Sequence, residues 1–172
     1  SLTTIVALRR RGFLAKSIYE FVLSTGISKA ESTLTWDSLI TFNRKIIDSI
    51  ANRYFFIENP VKIKIKNVPN LDIELNLHPD YERGKRKFKT KEEFYISKKD
   101  FKELKNNNLY RFMDCLNFIK KGNKFIYDSR AYEVYKEKGH RIMHWLPIQK
   151  DLVKIEVFMP NHEIKKGLGE PL

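Results

Sequence analysis

Two rhythms of apolar residues divide this chain. In its first third they recur at helical spacing: Ile18, Phe21 and Val22 share one face of a segment that begins near Ala15 and stops at Gly26. A stretch rich in Ser and Thr follows, and Thr35 then stands where a hydroxyl caps a longer helix. There Trp36, Leu39, Ile40, Ile46, Ile47, Ile50 and Tyr54 form a broad apolar stripe, which predicts a helix to about Phe56. Asn43, Arg44 and Arg53 fall on its opposite face. Helices of this length joined by short polar loops pack as a small bundle.

At Pro60 the period drops to two. Val61-Lys62-Ile63-Lys64-Ile65-Lys66 alternates apolar with lysine, as a half-buried strand does, and Leu71 to Leu77 repeats the alternation. Further strands are predicted at Glu93 to Ile96, Asn117 to Ile119, Lys124 to Tyr127, Ala131 to Tyr135, Arg141 to Leu146 and Leu152 to Met159. Turn formers lie between them: Lys121-Gly122-Asn123, Glu137-Lys138-Gly139 and Pro160-Asn161. The expected organisation is a helical bundle over residues 1–57, then an antiparallel β-barrel or sandwich over residues 58–172.

Charge narrows the class of partner. Lys+Arg number 33 against 21 Asp+Glu, a formal net charge of +12, so the surface attracts phosphate at long range. Ribosomal, membrane-surface and DNA-binding proteins share that property. The single cysteine, Cys115, excludes a disulfide framework, and no apolar stretch is long enough to span a bilayer. A reducing cytosol fits this usage. The chain begins at Ser1 with no secretory signal and runs at once into a helical pattern, so it reads as a piece of a longer protein.

Three local runs carry candidate chemistry. In Ala7-Leu8-Arg9-Arg10-Arg11-Gly12-Phe13 three adjacent guanidiniums end at a glycine. On a helix three consecutive positions fan over most of the circumference, so at least one arginine faces away from any core, free for a polyanion. The plainer reading is a last turn that complements the helix dipole and is capped by Gly12. The second run is His78-Pro79-Asp80-Tyr81-Glu82-Arg83-Gly84-Lys85-Arg86, in which Gly84 permits close backbone approach and Arg86 offers a planar fork for a phosphate or a base edge. The third is Gly139-His140-Arg141-Ile142-Met143-His144-Trp145. On a strand its two histidines stand about 13 Å apart, too far for one metal ion, so His144 reads as a structural residue and Trp145 as a packing one. Cys115 sits among Phe112, Met113, Leu116 and Phe118 with no adjacent base, as a buried structural thiol does. No phosphate-cradling glycine loop, catalytic constellation or metal-ligand set is found.

Taken in order, these runs resemble the class I glutamyl- and glutaminyl-tRNA synthetases of archaeal and eukaryotic type. Ala7 to about Ser28 resembles the helical segment that follows the catalytic domain in that family; residues 78 to 101, with Phe94-Tyr95-Ile96-Ser97-Lys98-Lys99-Asp100-Phe101, resemble its first anticodon-binding barrel; and the His144-Trp145 strand resembles a third motif. The ending Lys166-Gly167-Leu168-Gly169-Glu170-Pro171 matches as well, and Asn43 to Asp48 with Ile50 to Phe56 look most like the archaeal glutamyl enzymes.

The resemblance implies a helical connector followed by an anticodon-binding barrel, with a second barrel left incomplete. It implies that Arg9, Arg10 and Arg11 grip tRNA backbone phosphate, that Gly84, Lys85, Arg86 and Lys87 meet the anticodon arm, and that Arg141 is a further contact. Tyr81, Phe88 and Tyr95 are available for stacking or for the core. The implied partner is a glutamate-accepting tRNA, with a glutamine-accepting one as the second option, and neither DNA nor a membrane. The family's ATP-binding signatures, His-x-Gly-His and Lys-Met-Ser-Lys-Ser, are absent from the sequence, so ATP and magnesium are expected only in the catalytic domain of the parent and this chain alone is expected to be inactive. The rivals are a glutaminyl-tRNA synthetase piece, a free-standing rRNA-binding barrel, and a protein-interaction module with an exposed apolar strand edge.

Overall fold

The computed structural model describes residues 4–26, 35–159, 161 and 163–171. The Ser/Thr-rich loop expected after Gly26, the end of the matched helical segment at Ser28, and Pro160 of the expected turn lie outside them. The chain forms two compact units, Ser1–Asn52 and Arg53–Leu172.

The first unit holds α1 (Ile5–Arg10), α2 (Ala15–Ser24) and α3 (Trp36–Asp48). The Thr4 hydroxyl caps α1 by accepting from the Ala7 amide at 3.2 Å. At the other end Gly12 takes φ 82°, and the amides of Phe13 and Gly12 return to the carbonyls of Leu8 and Arg9, both at 3.0 Å. This is the Schellman closure, and its accompanying apolar contact is the buried Leu8–Phe13 pair. Leu39 of α3 completes the small core, with Ile18, Phe21 and Ile40 packed on it.

Two expectations for α3 are corrected. Asn43 does not face water: it is buried, with Oδ1 accepting from the Leu14 amide (2.9 Å) and the Ser17 hydroxyl (2.8 Å), while Nδ2 donates to the Gly12 carbonyl (3.1 Å). No side chain of its own caps α2 at Leu14, so Asn43 supplies that cap from a neighbouring helix. The helix also ends at Asp48 and not near Phe56. The amides of Ile50 and Ala51 both close on the Ile47 carbonyl at 2.9 Å, and Arg53 already donates to Leu77 of the second unit's own sheet region at 2.7 Å.

The second unit contains β1 (Phe56–Glu58), β2 (Pro60–Lys66), β3 (Leu71–Asn76), β4 (Lys85–Thr90), β5 (Glu93–Ser97), α4 (Lys98–Glu103), β6 (Leu109–Phe112), β7 (Asn117–Lys121), β8 (Lys124–Ser129), α5 (Tyr132–Lys138), β9 (Gly139–Met143), β10 (Leu146–Pro147), β11 (Val153–Phe158) and β12 (Ile164–Gly169). They pair in three ladders, in the orders β1-β12-β11, β10-β5-β2-β8-β7-β6-β9, and β3-β4. Among the described residues none of these orders closes on itself, and the longest is mixed: β2 runs parallel to β8, and β6 parallel to β9. The expectation of a wholly antiparallel arrangement is thereby corrected.

Alternation reads out as predicted in β2 and β3, where Ile63, Ile65, Leu71, Ile73 and Leu75 point inward and Lys62, Lys64, Lys66, Asp72 and Glu74 outward. The core gathers on Trp145, which is fully buried, with the rings of Phe55, Phe88, Phe94 and Phe112 within 5.4–6.2 Å of its own. Its indole N–H donates to the Met113 carbonyl at 2.9 Å, so the one polar atom of the side chain is satisfied. Residues 131–135, expected as strand, instead open α5. Asn117 Nδ2 holds the Ala131 carbonyl at 2.7 Å and the Arg111 guanidinium lies 5.5 Å over the Tyr132 ring, tertiary contacts that override the β-preference of Tyr and Val. The single strand expected from Arg141 to Leu146 is interrupted after Met143, where His144 and Trp145 turn the chain between β9 and β10.

Candidate nucleic-acid interface

In the first unit the cationic run sits where the glycine cap puts it. Arg9 and Arg10 occupy the last turn of α1, Arg11 is its C-cap, and all three are exposed. None forms an ion pair with a described residue, and Arg11 lies 5.6 Å over the Phe13 ring. Because Asn43 fixes the Gly12 carbonyl, the turn that displays them is tied to the core.

In the second unit the loop from Leu77 to Gly84 joins β3 to β4 and closes with the Leu77 amide donating to the Gly84 carbonyl at 2.9 Å. Gly84 adopts φ 96°, a backbone conformation that side-chain-bearing residues rarely reach. His78 is buried beneath the loop, and its Nδ1 accepts from the amides of Asp80 (3.0 Å) and Tyr81 (3.2 Å). By accepting two successive amides, this buried ring nitrogen shapes the turn from within. The exposed Tyr81 ring lies 4.8 Å from that of His78.

Strand β4 extends this surface. Lys85, Lys87 and Lys89 point outward, opposite Asn76, Glu74 and Asp72 of β3, while Arg86, Phe88 and Thr90 point inward. Glu74 takes both Lys85 (2.5 Å) and Lys87 (3.5 Å), so one carboxylate answers two ammonium groups. The hydrogen bond from Lys85 holds the Glu74 carboxyl below its ordinary value and raises Lys85 in return. The loop and these side chains border an open cavity of about 630 Å³, with Asn76, His78, Tyr81, Arg83, Lys85 and Lys87 on its wall. Its size and its mixture of ring, amide and cation suit a nucleotide.

Arg86 is not part of that surface. Its side chain is 13% exposed and turned inward, with Nε 2.9 Å from Glu170 Oε2 and Nη1 donating to the carbonyls of Arg53 (2.6 Å) and Asn76 (3.0 Å). The guanidinium also lies 4.8 Å over the Phe55 ring, on which the His144 imidazole stacks at 4.7 Å. Glu170 is buried, and its Oε1 accepts from the Phe55 amide at 2.5 Å. Burial pushes the Glu170 carboxyl up, while that amide and Arg86 pull it back. The stacked face of His144 loses water, which lowers its pKa from 6.5. Arg141, likewise, pairs with α4 through Asp100 (3.2 Å) and Glu103.

Of the aromatic candidates, Phe88 packs in the core, Tyr95 is half-buried, and Tyr81 is exposed at the cavity. Burial pushes the Cys115 thiol up to about 12, which removes it as a nucleophile. The described residues include no cluster of three or more His, Cys, Asp or Glu placed to hold a metal ion. Glu170 is the residue that the motifs did not assign. The one signal for it in the sequence was a lone acid directly after Gly167-Leu168-Gly169.

Comparison with known proteins bears on what this surface does. Residues 51–136, half of the chain, match the family model described as tRNA synthetases class I (E and Q), anti-codon binding domain. Among curated proteins, the glutamate–tRNA ligase of Pyrococcus furiosus is 40% identical over 179 aligned residues, covering 98% of this chain and 31% of that protein. Those of Thermococcus kodakarensis and Methanocaldococcus jannaschii are 37% and 36% identical, each over 98% of the chain. The chain therefore spans about a third of the length of these relatives.

Proposed function

Because the chain belongs to the anticodon-binding domain family of the class I tRNA synthetases for glutamate and glutamine, we propose that it binds tRNA as part of a glutamate–tRNA ligase. The observation that carries this reading is the β3–β4 hairpin within the matched region: an exposed basic strand, a glycine-hinged loop and an exposed aromatic ring around one nucleotide-sized cavity. In this role Arg9, Arg10 and Arg11 contact backbone phosphate. Lys85 and Lys87 meet phosphates of the anticodon arm, Gly84 lets the RNA approach, and Tyr81 offers a ring to an unstacked base. Arg86 supports that surface from behind, and Arg141, paired with α4, is a further contact for the RNA backbone.

The whole protein, on this reading, joins glutamate to its tRNA at the expense of ATP, with ATP and magnesium acting outside the present chain. Its own contribution is orientation: fixing the anticodon end places the acceptor end at a distant reacting centre. The strands of the second unit are the walls of the family's anticodon-binding barrel. Glutamate is favoured over glutamine because the relatives described above are glutamate–tRNA ligases.

The test is equilibrium binding of the chain to three transcripts: a glutamate tRNA, the same tRNA carrying a glutamine anticodon, and a hairpin RNA of equal length. The expected order is tightest for the first and weakest for the hairpin. Equal affinity for all three would leave only a general polyanion binder.

A further inference from the structure

The Gly-Leu-Gly-Glu run at the end of β12 is unused by the reading above, and its geometry is unusual. A Cβ at Gly167 would lie 2.2 Å from the Ile57 carbonyl oxygen and 2.7 Å from the Phe56 ring. No side chain fits there, so β12 lies flush against β1, with Gly167 opposite Glu58 and Gly169 opposite Phe56. That close seating brings the next residue, Glu170, level with Phe55, and delivers its carboxylate to the base of the β3–β4 hairpin.

From Glu170 the contacts form one continuous path. The carboxylate meets the Phe55 amide and Arg86 Nε. Arg86 Nη1 grips the carbonyls of Asn76, the last residue of β3, and of Arg53. Arg53 in turn donates its amide to Leu77, the first residue of the loop. The entrance to the loop is thus held on both sides by groups that Glu170 orients.

A buried ion pair is weak evidence for stability, because apolar residues of similar volume hold a fold equally well. What the pair adds is direction. Arg86 Nη1 hydrogen-bonds both carbonyls while Nε lies 2.9 Å from the carboxylate as an ion pair without a hydrogen bond of its own, a division across one flat cation that neither lysine nor a hydrocarbon reproduces. We propose that Glu170 is a positioning residue: acting through Arg86, it sets the place of the Leu77–Gly84 loop and thereby the selectivity of that loop for the anticodon. The selectivity half rests on the tRNA-binding reading above. The positioning half does not.

The experiment uses the 172-residue chain with Glu170→Gln, which keeps size and the acceptor for Phe55, and Arg86→Lys, which keeps the charge beside Glu170 but removes the fork. Amide exchange is followed at Arg53 and Leu77, with Phe118 in the seven-stranded sheet as the internal control. Both variants should exchange faster at Arg53 and Leu77 and unchanged at Phe118. Discrimination between the native anticodon and one with altered bases should fall roughly tenfold, as expected for loss of one hydrogen bond to a charged group. The salt slope of binding should stay at the wild-type value, since no phosphate contact is lost.

Wild-type exchange at Leu77 in both variants overturns the positioning role, and so does an equal rise at Phe118. Loop release with undiminished discrimination overturns the selectivity half alone. A wild-type chain that never discriminates between anticodons defeats the tRNA reading instead, and exchange at Leu77 still decides the positioning role. Should Glu170→Gln fail to fold, Arg86→Lys carries the same outcomes without leaving a buried carboxylate unpaired.

Discussion

Arg9-Arg10-Arg11 and Lys85-Arg86-Lys87 are both runs of three adjacent cations, and the backbone beneath each distributes them differently. At the end of α1 successive side chains are turned by about 100°, and since only Leu8 and Phe13 of that stretch are drawn into the core, all three arginines remain in water. Along β4 the period is two, so a neighbour of an exposed lysine must point inward. Arg86 therefore becomes an internal brace, and its two neighbours form the surface. The same local charge density yields three exposed cations, unpaired among the described residues, in one place and, in the other, two exposed ones that share Glu74. Counting basic residues overstates the footprint wherever the backbone is a strand.

The sharpest way to break this contrast is to remove the inward member. Arg86→Ala strands the buried Glu170 carboxylate, and the second unit should lose about 3–5 kcal/mol in urea unfolding, the typical cost of breaking a buried pair from one side. Lys85→Ala or Lys87→Ala should stay within about 0.5 kcal/mol of wild type. If all three variants were alike, Arg86 would be an ordinary surface cation.

A second variant asks what holds the helical run in place. Asn43→Ala removes the partners of Leu14, Ser17 and the Gly12 carbonyl together, so the first unit should lose about 1–3 kcal/mol by the same unfolding measurement. The α1 turn should also become less protected against amide exchange at Gly12 and Phe13. Triple replacement of Arg9, Arg10 and Arg11 by alanine should leave that stability within about 0.5 kcal/mol while weakening binding to every tRNA alike.

The smallest expected effect concerns His144, which stacks on the same Phe55 ring that carries Arg86. Its pKa in the folded chain lies below 6.5, so the unfolded state binds the extra proton first as pH falls. Its contribution is present above about pH 6.5 and is lost as pH drops through the folded value. The urea midpoint should decline below that pH, and His144→Gln should flatten the decline. An unchanged decline would assign the pH dependence to other groups.

How much of this was legible in the sequence varied with the kind of physics involved. The alternation of β2 and β3 was plain because Ile and Leu alternate with Lys, Asp and Glu on strands with one wet face. The stop at Gly12 was plain because a glycine directly after an apolar-basic turn can take the left-handed conformation that closes a helix. Strand β4 was hidden: Phe88 is its only large apolar residue, so the inward set of Arg86, Phe88 and Thr90 leaves no hydrophobic rhythm. Asn43 looked like a surface residue because its three partners are brought to it by two other segments. Arg86 was seen as important, but its partner is 84 positions away at Glu170, and only the pairing of β1 with β12 brings them together. Local rules found the elements and the candidate loop. Long-range pairing decided which cation of β4 faces outward.

The most direct measurement is the salt dependence of tRNA affinity for the Lys85→Ala/Lys87→Ala double variant and for Arg86→Lys, beside wild type. Two lost phosphate contacts should lower the log–log slope of the double variant by roughly 1.4 to 1.8, at about 0.7 to 0.9 per contact, while Arg86→Lys keeps the wild-type slope. An unchanged slope in the double variant would contradict the division between outward lysines and inward arginine.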